Sequence, residues 1–253
     1  MNKSINRRAW FKSTLVLTGG LAVSSSLVNQ LLAAPVSEAE RLFVPDNDKL
    51  VRLGSNENPY GPSALARKAI QESMNNFNRY AFEHVREFKK VLAEKEGVSP
   101  DHIAVVYGSS ETFCLTGMAI ALVGGAVRAA FPTFRSLIDF AEKLHARWDK
   151  VDLDDFHKHD LDALAAAVKS DTRLMFLCNP NNPTGTVIEG KKYLSFCEEM
   201  SKKTLVFSDE AYLEFLEPEE QQSAVELVRK GHNVLVSRTF SKVYGLAGLR
   251  LGY

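Results

Sequence analysis

The sequence predicts an α/β protein, a three-layer sandwich in which helices cover both faces of a mostly parallel sheet. Three observations point there. Short apolar runs alternate with helical periodicity along residues 103–237. Those runs lack the apolar–polar alternation of a half-wet strand, as expected of strands buried on both faces. The residues capable of chemistry gather just past the carboxyl ends of the runs, where open α/β sheets bind their ligands.

The chain has 253 residues, enough for one large domain or two modest ones. It is 45% hydrophobic and 25% charged, a mix that excludes a disordered chain. Its formal net charge is zero, which gives no basic footprint for a nucleic-acid partner. Cys114, Cys178 and Cys197 are widely spaced in apolar surroundings. They form neither a metal-ligand pattern nor a disulfide framework, so buried free thiols and no metal are expected.

Residues 1–37 read as a targeting segment outside the fold. They hold Lys3, Arg7, Arg8 and Lys12 but no acidic residue, and residues 13–37 are uncharged. A basic start, a mildly apolar stretch and small residues around Ala33 and Ala34 make an export signal. The paired arginines ahead of Ala9, Trp10, Phe11 and Lys12 resemble a twin-arginine signal. This implies delivery to the periplasm through the twin-arginine machinery, engaged by residues 1–34. Gly19, Gly20 and several serines argue against a membrane anchor, which needs about 20 predominantly apolar residues. Removing the four basic residues leaves 27 basic against 31 acidic, a formal charge of −4.

Residues 38–62 form a second segment, polar at first and then rich in Pro, Gly and Asn. Such a stretch breaks regular structure. Its amides beside Tyr60 mark it as a contributor to a substrate site. Residues 63–253 form the domain proper. Ser63 caps a helix carrying Leu65, Ala69 and Ile70. Residues 82–96 have helical spacing (Val85, Phe88, Val91, Leu92) and end at Gly97, a capping glycine. Strands are expected at 103–107, 127–131, 173–178, 204–208 and 233–237. Helices are expected at 112–122, 135–145, 161–168, 189–203 and 224–230.

Each strand end delivers something unusual. Gly108, Ser109 and Ser110 open a helix, and free amides, hydroxyls and the helix dipole there favour an anion. Phe134 follows the second strand and can stack on a planar ring. A rigid Asn181-Asn182-Pro183-Thr184-Gly185 turn follows the third. Asp209 ends the fourth, and a carboxylate buried there calls for a cationic partner. Lys242 lies past the fifth, where its amine can have a lowered pKa and condense with a carbonyl. Together with Tyr212 and Arg250, these groups describe a pocket for a phosphorylated, cationic aromatic aldehyde, which is pyridoxal phosphate.

At that point the chain resembles the fold-type I, class I/II aminotransferases, and within them the histidinol-phosphate aminotransferase group. The resemblance rests on Asn56-Glu57-Asn58-Pro59-Tyr60-Gly61-Pro62, Arg79-Tyr80, the Asn-Asn-Pro-Thr-Gly turn, Asp209-Glu210-Ala211-Tyr212 and Ser241-Lys242 with Gly245-Leu246-Ala247-Gly248-Leu249-Arg250. It implies that Lys242 forms the Schiff base with pyridoxal phosphate and shuttles the proton, and that Asp209 partners the pyridine nitrogen. Asn182 and Tyr212 would donate to the phenolic oxygen. Ser109, Ser110, Ser241 and Arg250 would hold the phosphate, and Phe134 would stack on the ring. Tyr80 would reach the phosphate of a neighbouring subunit in a homodimer, and Asn58 and Tyr60 would meet substrate. The activity implied is transamination between a phosphorylated or aromatic amino compound and a 2-oxo acid. A decarboxylase of a phosphorylated hydroxyamino acid and a non-catalytic exported remnant are the alternatives. Ser110 stands where many relatives carry Asp, and Ala81 where Pro is usual. The family continues beyond a position equivalent to Tyr253, so the large domain is expected to be incomplete and its C-terminal small domain missing.

Overall fold

A computed structural model describes residues 53–253, so the export signal expected over residues 1–37 and residues 38–52 lie outside the described residues. Residues 54–253 form one compact unit. Five strands make one sheet in the order β2-β1-β3-β4-β5, every pair parallel: β1 (Ala126–Phe131), β2 (Arg147–Asp152), β3 (Thr172–Cys178), β4 (Leu205–Asp209) and β5 (Val234–Ser237). Parallel neighbours need crossovers. Those here are the helices α4 (Ser136–Lys143), α5 (Leu161–Ala166), α6 (Gly190–Ser201) and α7 (Val225–Arg229). Three helices precede them in the chain: α1 (Ala64–Ser73), α2 (Phe82–Glu96) and α3 (Ser109–Val123).

Strand periodicity builds two cores, one on each side of the sheet. Leu174, Phe176 and Cys178 of β3 join Phe207 of β4 against Phe113 and Ile120 of α3 and Leu137 and Ile138 of α4. The intervening Met175 and Leu177 join Val206 against Leu164, Tyr193, Met200 and Leu227 on the other face. The three-layer sandwich is therefore present. Burying a side chain such as Phe176 contributes about 2 kcal/mol, and these two clusters hold the strand ends in a fixed frame.

Several boundaries differ from expectation. Residues 103–107 do not form a strand among the described residues. Val106 makes one antiparallel bridge, to Gly252, and no other backbone runs alongside. Conversely, β2 was not expected from Arg147-Trp148-Asp149-Lys150-Val151-Asp152, because its charges hide the pattern. The strand is an edge, and charged side chains suit an edge. In β5, Val234, Leu235 and Val236 are only half-buried, since β5 pairs with β4 alone. Cys114 is likewise half-buried, unlike Cys178 and Cys197. Ser63 caps α1 through its hydroxyl, as expected, but α1 buries none of its residues. Gly97 ends α2 in a left-handed conformation, as expected.

Candidate active site

The carboxyl ends of β3, β4 and β5 and the start of α3 surround a cavity of about 650 Å³. Its floor is Asp209, the last residue of β4, which is only 2% exposed. Asp209 accepts a long hydrogen bond from the Ala211 amide at 3.3 Å and one from the Cys178 thiol at 3.7 Å. Among the described residues it has no ion-pair partner within 4 Å. Burial is therefore poorly offset and raises its pKa to about 7, despite those donors.

Lys242 sits in the loop after β5. Thr239 shapes that loop: its hydroxyl oxygen accepts from the Ser241 amide at 3.1 Å and its O–H donates to Ser241 Oγ at 3.0 Å. Lys242 Nζ donates to the Ser55 carbonyl at 2.6 Å and lies 5.7 Å from the centre of the Tyr212 ring. Burial lowers its pKa, while Asp209 and Glu57 oppose that effect. A shift in that direction favours the neutral amine, the form that attacks a carbonyl. The Tyr212 hydroxyl accepts from Asn56 Nδ2 at 2.9 Å and from Asn182 Nδ2 at 3.3 Å. Burial raises its pKa.

The two adjacent asparagines divide their work. Asn181 is buried and holds the turn, accepting from Thr133 Oγ1 at 2.8 Å and donating to Thr184 Oγ1 at 2.9 Å. Asn182 is thereby turned into the cavity. At the opposite end, α3 begins at Ser109 rather than 112, which puts Ser109 and Ser110 in its first turn. The Arg250 guanidinium lies over that turn, 3.4 Å from both Ser110 Oγ and Ser241 Oγ. Gly108 has φ 70°, and a Cβ there would stand 2.4 Å from Arg250 Nη2. Glycine lets a cation and a helix N-terminus converge, and together they attract an anion.

Nine expected residues line this cavity: Ser109, Ser110, Phe134, Asn182, Asp209, Tyr212, Ser241, Lys242 and Arg250. Three do not. Tyr80 is 89% exposed and Tyr60 87% exposed. Asn58 is spent on the backbone, donating to the Val243 carbonyl and accepting from the Tyr60 amide. Its amide is thereby tied to the lysine loop. The structure adds Ser55, Asn56, Glu57, Phe113 and Thr239 to the lining. Phe113, 5.5 Å from the Phe134 ring, reads in sequence as one more core position of α3. Cys178, beneath Asp209, reads as the end of an apolar strand.

A buried carboxyl group, a nearby amine of lowered pKa and an anion-binding helix start at the carboxyl edge of a parallel sheet define a site for a phosphorylated, cationic carbonyl cofactor. Residues 48–253 match the family described as aminotransferase class I and II, and the chain belongs to that family. The family uses pyridoxal phosphate. The chain is 41% identical over 219 residues to histidinol-phosphate aminotransferase 2 of Ralstonia nicotianae, a match covering 87% of this chain and 58% of that protein. It is similar in structure to a putative histidinol-phosphate aminotransferase from Erwinia carotovora atroseptica (TM-score 0.76, 30% identity, 82% of this chain and 61% of that one). It is also similar to histidinol-phosphate aminotransferase from Sinorhizobium meliloti in complex with pyridoxal-5′-phosphate (TM-score 0.73, 28% identity, 92% and 63%). The chain thus spans less than two thirds of these proteins. The residues present fit the cofactor. Asp209 is a buried carboxylate short of a cation, and the Gly108–Arg250 corner is open to an anion.

Proposed function

We propose that the protein is a pyridoxal-phosphate-dependent aminotransferase that exchanges an amino group between a phosphorylated or aromatic amino compound and a 2-oxo acid, with histidinol phosphate the first compound to try. The observation that carries this reading is Asp209, buried without a cation at the floor of a cavity that also holds Lys242. The named relative at 41% identity supports transamination over decarboxylation.

Bound in the cavity, pyridoxal phosphate supplies an electrophilic aldehyde and an electron sink. Asp209 holds a positive charge at the ring nitrogen. Lys242 is the residue that would hold the cofactor through Nζ, and its amine would take and return the proton at the substrate's α-carbon. Asn182 and Tyr212 donate to the phenolic oxygen. Ser109, Ser110, Ser241, Arg250 and the α3 amides bind the phosphate. Phe134 packs on the ring and excludes water. Tyr80, exposed on this protomer, suits contact with the cofactor of a second copy in a homodimer.

Titration of the full chain with pyridoxal phosphate tests this. A visible absorbance band should appear, borohydride should fix a label on Lys242, and light scattering should give the mass of a dimer. Lys242→Ala should lose both band and label. A label on another lysine, or none, overturns the reading, and release of carbon dioxide in place of a 2-oxo acid overturns the choice of reaction.

A further inference from the structure

The lysine loop and the segment before α1 are fastened together at several points. Lys242 Nζ donates to the Ser55 carbonyl at 2.6 Å and lies 3.4 Å from that of Asn56. Asn58 Nδ2 donates to the Val243 carbonyl at 2.9 Å, and Asn56 Nδ2 to the Tyr212 hydroxyl at 2.9 Å. Gly245 lies so close to Gly61 that a Cβ there would stand 2.4 Å from the Gly61 carbonyl group. Arg67 adds ties at the segment's far end, donating to the Tyr60 carbonyl at 3.4 Å and the Pro62 carbonyl at 2.9 Å, but none reaches residues 55–57. Ser55, Asn56 and Glu57 are exposed, and none of residues 53–61 is buried. Ser55 and Asn56 have φ values of 63° and 49°, a conformation non-glycine residues adopt at a cost. Exposed backbone with few apolar contacts keeps its place only while its polar ties last.

We propose that residues 55–61 are a strap that reads the state of Lys242: closed over the cavity mouth while the amine is free, released once the amine is joined to a carbonyl carbon. The inference rests on Lys242 being the residue that carries the cofactor. A primary amine adds to an aldehyde to form a C=N bond, and the aldehyde oxygen departs as water with the two amine hydrogens. The nitrogen then bears at most one proton taken from solution. The Ser55 and Asn56 carbonyls lose the ammonium-type donor that faces them, and an unpaired carbonyl turns to water. Release uncovers the part of the cavity lined by Ser55, Asn56 and Glu57. Asn58 is the positioning residue of this device: its pin on Val243 sets where the Ser55 carbonyl meets Nζ.

Hydrogen exchange of the Tyr60 and Gly61 amides, which donate to Asn58 Oδ1 at 3.0 Å and to the Asn58 carbonyl at 3.1 Å, measured on the full chain, tests the strap. Lys242→Ala should speed exchange about tenfold or more, the loss expected for one hydrogen bond to a charged group. Lys242→Arg, which keeps a donor, should restore most of the protection. Saturating pyridoxal phosphate should speed exchange of the strap in the wild type and leave Lys242→Ala unchanged. Asn58→Ala should loosen the strap, keep the sheet amides slow, and move the pH profile of borohydride labelling at Lys242 upward as the amine loses cover. Unchanged exchange in Lys242→Ala, or a strap that pyridoxal phosphate protects, overturns the proposal. An unmoved labelling profile in Asn58→Ala overturns the positioning role. If the visible band forms but the strap stays closed, the strap fails and the cofactor reading stands. If no band forms, the cofactor reading fails and the two Lys242 variants alone decide the strap.

Discussion

Asp209 and Glu210 are consecutive carboxylates, both almost wholly buried, and they have opposite fates. Strand geometry sends adjacent side chains to opposite faces. Glu210 meets a complete set of partners: Ser208 Oγ at 2.9 Å, the Ala224 amide at 2.8 Å, Ser223 Oγ at 2.8 Å and the Arg238 guanidinium at 3.0 Å. Tyr193 adds a short hydrogen bond to Ser208. Arg238 in turn holds Glu214 at 3.0 Å. Asp209 faces the cavity with one long amide bond and one thiol. Burial alone therefore does not mark a functional carboxylate. What distinguishes Asp209 is that the fold leaves its charge unanswered, beside a space that can admit a cation. Glu210 fastens the end of β4 to the start of the lysine loop, and Asp209 uses the position so fixed.

The contrast can be broken by experiment. Glu210→Ala should have the largest effect on stability, about 3–5 kcal/mol in urea unfolding, because it leaves Arg238 buried and short of its main partner. A loss no greater than that of an exposed substitution would remove the distinction. Asp209→Asn should do the opposite to the cofactor-free protein. The folded-state pKa of Asp209, about 7, lies above the ordinary carboxylate value. The folded state therefore holds a proton that the unfolded state has released, across the window from about pH 4 to pH 7. Stability from this group is full below that window and is lost as pH rises through it, by on the order of 2–4 kcal/mol. Asp209→Asn should abolish this slope and exceed the wild type in stability at pH 8, while its affinity for pyridoxal phosphate falls. A wild type equally stable at pH 4.5 and pH 8, judged against the variant, would refute the account. Glu199→Gln, which breaks only the exposed pair with Lys203, should leave the unfolding midpoint unmoved and serves as the control.

The site was more legible in the sequence than parts of the fold were. Asp209 and Lys242 each follow an apolar run, so strand periodicity pointed to their place, whereas Arg250 was pointed to by the family resemblance. The strand β2 stayed hidden because an edge tolerates charge, and Trp148 and Val151 alone give too little pattern. Residues 103–107 had the composition of a strand, but a strand needs a neighbour, and among the described residues only Gly252 pairs with Val106. The tie that Asn58 makes to the lysine loop was hidden too, because a sequence does not reveal which distant carbonyl an amide meets. Its acceptor, Val243, lies 185 positions along the chain.

By itself the sequence determined the alternation of strands and helices, the two-sided core and the kinds of group waiting at the strand ends, because these depend on the local period of apolar residues and on turn chemistry. Only the tertiary structure decided which of two neighbouring carboxylates is satisfied, that Asn181 holds the turn while Asn182 enters the cavity, and that Lys242 is tied to Ser55. Those outcomes depend on distances between residues far apart in the chain, and such distances exist only once the sheet and its loops have packed.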